Sequence, residues 1–452
     1  MLFAYFFYFS SFIASIINPF WGLVGLIVSI LIRFQDRFPA IASIKPFSLL
    51  FLGMIIGCIV NRDKLAQHHW KQDHLLLYML GVSIFGLIIL NPGDLIFETW
   101  QFISSLAFYY FATRIMQTPK QFIILFAVMS CCIVFMGYEA IKSVAADPET
   151  SPFIDPRNGR WQGLGYYQNA NEFGQLMITT LPFLFAALIM KNNLIIKSIA
   201  VAFILLLVFV VGKTESRTVM VLLGMMIILT IALRGSGNII KKGLIAGTIG
   251  VVLLFGLSFA PGPIQDRLQT VLDTGSDKSF QGRTRAWDQG FQMVSWYPVT
   301  GIGKGQWGNY HGLMPHNSYV QILAELGPIG IFLFFWILRL SFNEFKPFFV
   351  DTGSDPPEQT NQLIKKTKTH PIWGTTDDIN TQSVPDDIIE MESISPETKT
   401  VVIAVAAVML GWVVYIFLGN QAYAVWTYFY LGLCGAIRNL LPKPVIRSTD
   451  SN

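Results

Sequence analysis

Residues 282–340 read GRTRAWDQGFQMVSWYPVTGIGKGQWGNYHGLMPHNSYVQILAELGPIGIFLFFWILRL. The first half is polar, aromatic and glycine-rich. The second half passes at Asn317 into an apolar run that continues to Leu340. A run of roughly 20 such residues is long enough to cross the hydrocarbon core of a bilayer. His316 and Asn317 therefore stand at the water-facing mouth of a membrane helix. Arginines lie just upstream, with a proline–glycine turn in between. This is the layout of a site at a bilayer surface, and the rest of the chain reads as its scaffold.

Outward from this stretch, apolar segments recur along the whole chain. They fall at 2–32, 46–60, 73–90, 96–115, 120–138, 168–189, 194–211, 215–233, 242–259, 317–340, 400–418 and 422–438. The first is interrupted by Asn18–Pro19 and is either one long kinked helix or two short ones, because proline removes an internal hydrogen bond. Counted once, it gives about 12 segments, the preferred number; counted twice, about 13. Composition agrees: 53% of the residues are apolar and 13% are charged, well below the roughly 25% charged of a soluble domain. The predicted fold class is all-α, a polytopic transmembrane bundle of about 12 helices, with an outer loop region carrying short amphipathic helices. The organisation expected is 1–260 transmembrane helices with short loops, 261–316 the outer loop, 317–340 a membrane helix, 341–399 an inner loop, and 400–452 two further helices and a tail.

Basic residues orient the bundle. Arg62, Lys64 and Lys71 share one loop, Arg114 and Lys120 another, Lys191 and Lys197 a third, and Arg234, Lys241 and Lys242 a fourth. These loops alternate, and the positive-inside rule puts them in the cytoplasm. Loops 139–167 and 260–316 then lie outside, and 341–399 inside. Arg33, Arg37 and Lys45 break the pattern. The inner loop 341–399 has Pro356–Pro357, few aromatics and an acidic second half, so it is expected to be mostly disordered, or else a docking tail. The net charge of +4 is sorted by membrane side and implies no nucleic-acid partner. Cys58, Cys131, Cys132 and Cys434 all fall in apolar segments, which suits buried thiols and not a disulfide or metal framework. The first residues, MLFAYFFYF, lack the basic start of a secretory signal.

Candidate chemistry gathers on the outer side. Helical spacing puts Trp287, Phe291 and Val294 on one stripe, with Arg283 on the same face and Arg285 nearby. Arg283 is either aimed into the bundle or snorkelling. Pro298–Gly303 is a tight turn in which Gly301 and Gly303 allow close backbone approach to a ligand. Arg217 opens the 215–233 helix at its outer end, either as an interface anchor or as a functional charge. Arg157 and Arg160 add positive charge outside. Asn169 and Asn171, in YQNANEFG, either cap the following helix or touch substrate. The outer loops hold no metal-ligand cluster and no DxD pair, and no GxxxxGKS nucleotide loop is present. No metal or other cofactor is expected, and arginines are left to hold any phosphate. The donor must then arrive already activated; in a membrane that suggests a lipid-linked pyrophosphate.

Three motifs carry a resemblance. They are SR in TESRTVMV with Arg217; R-x3-W…P-x2-G-x-G with Arg283, Trp287, Pro298, Gly301 and Gly303; and HN-x-Y…E-x-G-x2-G with His316, Asn317, Tyr319, Glu325, Gly327 and Gly330. In this order they resemble the bacterial O-antigen ligase and polymerase superfamily of membrane glycosyltransferases, and YQNANEFG is similar to that family's asparagine motif. The resemblance implies a GT-C-type enzyme of the inner membrane, acting at the periplasmic face by metal-independent, inverting transfer. The donor would be a glycan on undecaprenyl pyrophosphate, and the acceptor a sugar hydroxyl of lipid A core or another glycan, amid membrane lipid. It implies His316 as the essential histidine, with Arg217 and Arg283 on the pyrophosphate. Around them, Arg285, Arg157, Arg160, Asn169, Asn171, Trp287, Gly301, Gly303, Asn317 and Tyr319 are candidate substrate contacts. A polymerase is the close alternative. A transporter using the intramembrane Glu325 is the alternative of another class, although the motifs gather at one face and not at the midplane where transporter sites lie.

Overall fold

The computed structural model describes residues 1–67, 70–190, 193–232, 278–349, 388–391, 393–442 and 444–447. The helices that build it are α1 (Leu2–Ile17), α2 (Pro19–Ile32), α3 (Pro46–Val60), α4 (Trp70–Leu90), α5 (Leu95–Ile115), α6 (Pro119–Ala146), α7 (Ala170–Thr179), α8 (Leu181–Ile189), α9 (Leu194–Thr214), α10 (Arg217–Ala232), α11 (Lys278–Trp296), α12 (Ser318–Asn343), α13 (Pro396–Phe417) and α14 (Val425–Ala436). Among the described residues, seven helices are long and apolar enough to cross a membrane. The chain is an all-α, multi-pass membrane protein. Two four-residue strands, Ile388–Met391 and Pro444–Arg447, pair antiparallel with Ile388 opposite Arg447. The expected segment 242–259, and residues 350–387 of the expected inner loop 341–399, lie outside the described residues.

Asn18–Pro19 divides the first apolar region into two helices. Asn18 caps α2 by accepting from the Phe20 N–H at 3.0 Å, and proline takes the first helical position, where its missing N–H costs nothing. The helices then fold back on each other. Gly22 rests on Ser15 and Gly25 on Ser11, while Ser29 Oγ donates to the Tyr8 hydroxyl at 3.2 Å. Small residues let the two backbones approach closely. The region preferred as one segment is thus a hairpin, and the start of α1 returns beside residues 35–40, where the Tyr5 hydroxyl donates to Ala40 O.

α13 and α14 form the middle of the bundle, and α14 is buried from Trp426 through Ala436. Its Gly432 lies against Tyr109 and Ala112 of α5, again a contact that only a small residue permits. The outer helices turn apolar side chains outward, among them Phe6, Ile13, Leu77, Ile88, Leu194 and Leu205. Such a rim is what lipid contact requires.

Contacts sort the connections into two faces. On one face Ala66 N–H donates to Arg114 O at 2.8 Å, Gln72 to Ser341 at 3.3 Å, and Asn439 to Met116 O at 2.8 Å. On the other meet the loop 33–45, the turn 91–94, the loop 147–169, the α9–α10 corner, residues 297–317 and the turn 418–424. Arg33, Arg37 and Lys45, which broke the charge pattern, belong to this second face. Arg33 pairs with Asp36 at 2.5 Å, and Arg37 with Glu139, its Nε reaching Oε1 at 3.1 Å. Neutralised by partners, these two arginines no longer read as free positive charge.

Candidate functional site

Helix α12 is broken in its first half. Gly327 adopts φ 68° and Pro328 follows inside the helix. A proline there leaves carbonyls of the preceding turn without a helical donor. The Pro298–Gly303 turn supplies donors: Ile302 N–H bonds Ala324 O at 2.9 Å and Gly303 N–H bonds Glu325 O at 3.0 Å. Gly301 and Gly303 have φ of 62° and 96°, and a side chain on Gly301 would strike the α12 backbone at Ala324 and Glu325. The close approach read into these glycines is therefore made to the broken helix itself.

Buried charge fastens the same loop. The Glu325 carboxylate, fully buried, accepts from Gly305 N–H at 3.0 Å and Trp307 N–H at 3.3 Å. Lys304, also buried, pairs with Glu98 and sits 5.0 Å from the centre of the Tyr423 ring. Asn91 donates to Ile302 O at 3.2 Å, and Gln306 to Asp94 at 3.0 Å. Buried charges persist only when paired and hydrogen-bonded, and these are.

Two indoles then hold the approach to His316. Trp307 Nε1 donates to Leu313 O at 2.9 Å, and Trp287 Nε1 to Pro315 O at 2.7 Å. His316 itself has φ 47°, a left-handed conformation that a non-glycine residue keeps only when its surroundings impose it. The next residue, Asn317, is buried and caps α12 by accepting from Tyr319 N–H at 3.0 Å and Val320 N–H at 3.2 Å. Tyr319 turns to the α13 side, its hydroxyl donating to Val413 O at 3.0 Å.

Helix α11 lies along α12. Its buried stripe is Ala286 and Met293, with Gly290 placed against Val320 and Trp307. The stripe expected from spacing, Trp287–Phe291–Val294, is rotated by one residue, and Phe291 is exposed. The reason is steric: Gly290 offers the close approach that a bulky residue on that side would prevent. Trp287 remains at the edge of the interface, 5.8 Å from the Phe417 ring. The charge of Arg283 reaches His316, whereas Arg285 is exposed. Burial, and next the charge of Arg283, lower the His316 pKa below its ordinary value. Burial is the larger of the two causes.

The remaining residues connect across the face. Asn169 caps α7 by accepting from Asn171 N–H at 2.8 Å. Asn171 Oδ1 accepts from Arg160 at 3.1 Å and from Ser216 Oγ at 2.7 Å, which places it beside Arg217, the first residue of α10. Arg160 also donates to Thr214 O at 2.8 Å. Arg157 instead pairs with Asp155 on its own loop at 2.9 Å and stays largely exposed. Glu172, next to Asn171, accepts from Gln421 at 3.4 Å, and Tyr166 donates to Gln421 at 3.0 Å. The neighbouring Asn420 meets His316 Nδ1 at 3.5 Å. One sequence-adjacent path thus runs from Arg217 through Asn171–Glu172 and Gln421–Asn420 to His316 and Arg283. Glu172, Asn420 and Gln421 were not singled out from the sequence. Asn420 and Gln421 form the short polar gap between the apolar segments 400–418 and 422–438, and Glu172 follows Asn171 in YQNANEFG.

Residues 181–335 match the family model described as O-antigen ligase. This match, over about a third of the chain, supports the O-antigen ligase superfamily. It contains Arg217, Arg283, Trp287, Gly301, Gly303, His316, Asn317 and Tyr319, whereas Arg157, Arg160, Asn169 and Asn171 lie before it. The match supports function of the O-antigen ligase or polymerase type, a membrane glycosyltransferase-like activity on lipid-linked glycans. No curated protein and no solved structure matches the chain.

Proposed function

We propose that the chain is an O-antigen ligase that moves a glycan from undecaprenyl pyrophosphate to a sugar hydroxyl, of lipid A core or a similar acceptor, at the periplasmic face of the inner membrane. The observation that carries this reading is the half-buried His316, held in a left-handed conformation beside Arg283 at the mouth of α12. A sugar hydroxyl is a poor nucleophile at neutral pH, and a neutral imidazole is the usual group to take its proton. In the transfer, the acceptor oxygen forms a bond to the anomeric carbon from the face opposite the leaving group. The bond from that carbon to the pyrophosphate oxygen breaks, and the configuration inverts. The hydroxyl proton passes to His316, and the lipid pyrophosphate leaves with the electron pair. Arg283 and Arg217 stabilise the charge that develops on it, since fixed cations in a water-poor site do so without reorganising. The forked guanidinium suits phosphate oxygens.

Asn420 supports the assignment of the base nitrogen. Its amide meets His316 Nδ1 at 3.5 Å. Amide oxygen and nitrogen are assigned from their hydrogen-bond surroundings, and turning the amide over lets Oδ1 accept from Nδ1–H. The tautomer is then fixed, with Nε2 left to take the proton. Glu325, on which a transport reading rests, already accepts from two backbone N–H groups. Deleting the gene and running surface polysaccharide on a gel tests the proposal. Intact lipid-linked chains that fail to reach their acceptor are expected; single repeat units on a normally modified acceptor would make the chain a polymerase, and unchanged polymer would reject both.

A further inference from the structure

On the face opposite His316, two cavities meet at Leu65 and Ala66, which line both. The first, about 1030 Å³, lies among α3, α4 and α5, with walls that include Ile55, Ile59, Leu77, Trp100 and Tyr110. Each of these side chains is exposed on the outside of the bundle, so the slot opens sideways at membrane depth. The second, about 1220 Å³, is polar and lies at the membrane–water boundary, lined by Lys64, Lys71, Arg438, Asp63, Glu344 and Gln117 among others. Charges at the junction are already matched: Arg114 pairs with Asp73, and Arg62 lies 3.7 Å from Asp63. That leaves Lys64, Lys71 and Arg438 against Glu344, an excess of positive charge.

We infer that this double cavity binds an anionic glycerophospholipid, with its phosphate head group in the basin and its acyl chains in the slot. An apolar slot open to the bilayer and joined to a cationic, water-facing basin matches that amphiphile end for end. Basic pockets between membrane helices recognise such head groups through charge, and long basic side chains reach the interface from helix ends. The site is separate from the arginine–histidine site and does not depend on the proposed transfer.

The test uses the full chain purified in a mild detergent. Phosphatidylglycerol is expected to raise its Tm with rising concentration, while phosphatidylethanolamine does not, and native mass spectrometry should find phosphatidylglycerol retained preferentially. The double variant Lys71→Gln/Arg438→Gln should lose both the shift and the preference. The same charge change at Lys197 and Lys399, elsewhere on the chain, should leave them intact. Equal shifts with the two lipids, loss of the shift in the Lys197/Lys399 control, or no response to either lipid would overturn the inference. The last is what the chain's own acidic residues 377–397 would produce by filling the basin. Should the double variant fail to fold, the retained-lipid measurement on the unmodified chain decides alone.

Discussion

Replacing Trp287 by Phe tests whether the indole clamp holds His316 in place. Phe keeps an aromatic ring beside Phe417 but removes the Nε1 donor on Pro315 O, a bond of 2.7 Å. A buried carbonyl left without its donor costs about 1–3 kcal/mol. The left-handed backbone of the next residue, His316, stores a further ~1–3 kcal/mol, which the clamp helps to hold. The loop can remove both penalties by letting Pro315 and His316 turn toward water, and the histidine then leaves Asn420 and Arg283. A conformational preference of about 1.4–2.8 kcal/mol against the working geometry lowers the rate roughly 10- to 100-fold. Trp307 still holds Leu313 O and the α12 cap is untouched, so the protein should accumulate normally. The assay is transfer from purified lipid-linked glycan to acceptor, with the membrane level of the variant measured alongside. Trp287→Phe working at the normal rate would show that His316 does not need this bond, and the argument from strain would fail.

Changing Arg217 or Arg283 to Ala should cut transfer by at least ~100-fold, comparable with losing one donor that stabilises developing negative charge. Lys should restore only part, since it lacks the fork; full activity of both Ala variants at normal levels would return them to interface anchoring. Because burial and Arg283 depress the His316 pKa, activity should stay level as pH falls to about 6.5 and decline only below it. Asn420→Asp sets a carboxylate beside the imidazole, favours its charged form and should move that decline to higher pH; a rise in activity on acidification would instead make His316 a protonated phosphate donor. Sidedness is open to impermeant thiol labelling in a background lacking Cys58, Cys131, Cys132 and Cys434. Cysteines at 150 and 310 should react in intact spheroplasts and those at 118 and 442 only after lysis, and the reverse pattern would turn the proposed site toward the cytoplasm.

What was legible in the sequence is what depends on neighbours along the chain. Apolar runs mark the helices because span length and hydropathy are local properties, and Asn18–Pro19 marks a break because proline acts on its own turn. Whether that break kinks a helix or reverses the chain depends on Ser11 and Ser15 meeting Gly25 and Gly22, a pairing that periodicity does not contain. The charge pattern failed at Arg37 for the same reason, since its partner Glu139 is 102 residues away. Asn420 and Gln421 read as a turn between two membrane segments, and a turn is what they form; only the packing of α13 against α8 and of both α13 and α14 against α12 brings them to His316 and Glu172.

The arrangement of the site follows from one defect in a helix. Gly327–Pro328 interrupts α12 and frees carbonyls that, in a membrane, must find donors inside the protein. The Pro298–Gly303 turn provides them, and only glycine at 301 lets two backbones come so close. Once that turn is docked, Glu325 and the Lys304–Glu98 pair fix residues 304–307, Trp307 fixes Leu313, and Trp287 fixes Pro315. Each step constrains the next residue toward His316, whose left-handed backbone is the end of the series. The histidine lies eleven residues before the break in sequence and is held by it through this chain of contacts. Residues such as Gly301 and Glu325 can therefore govern transfer without touching donor or acceptor.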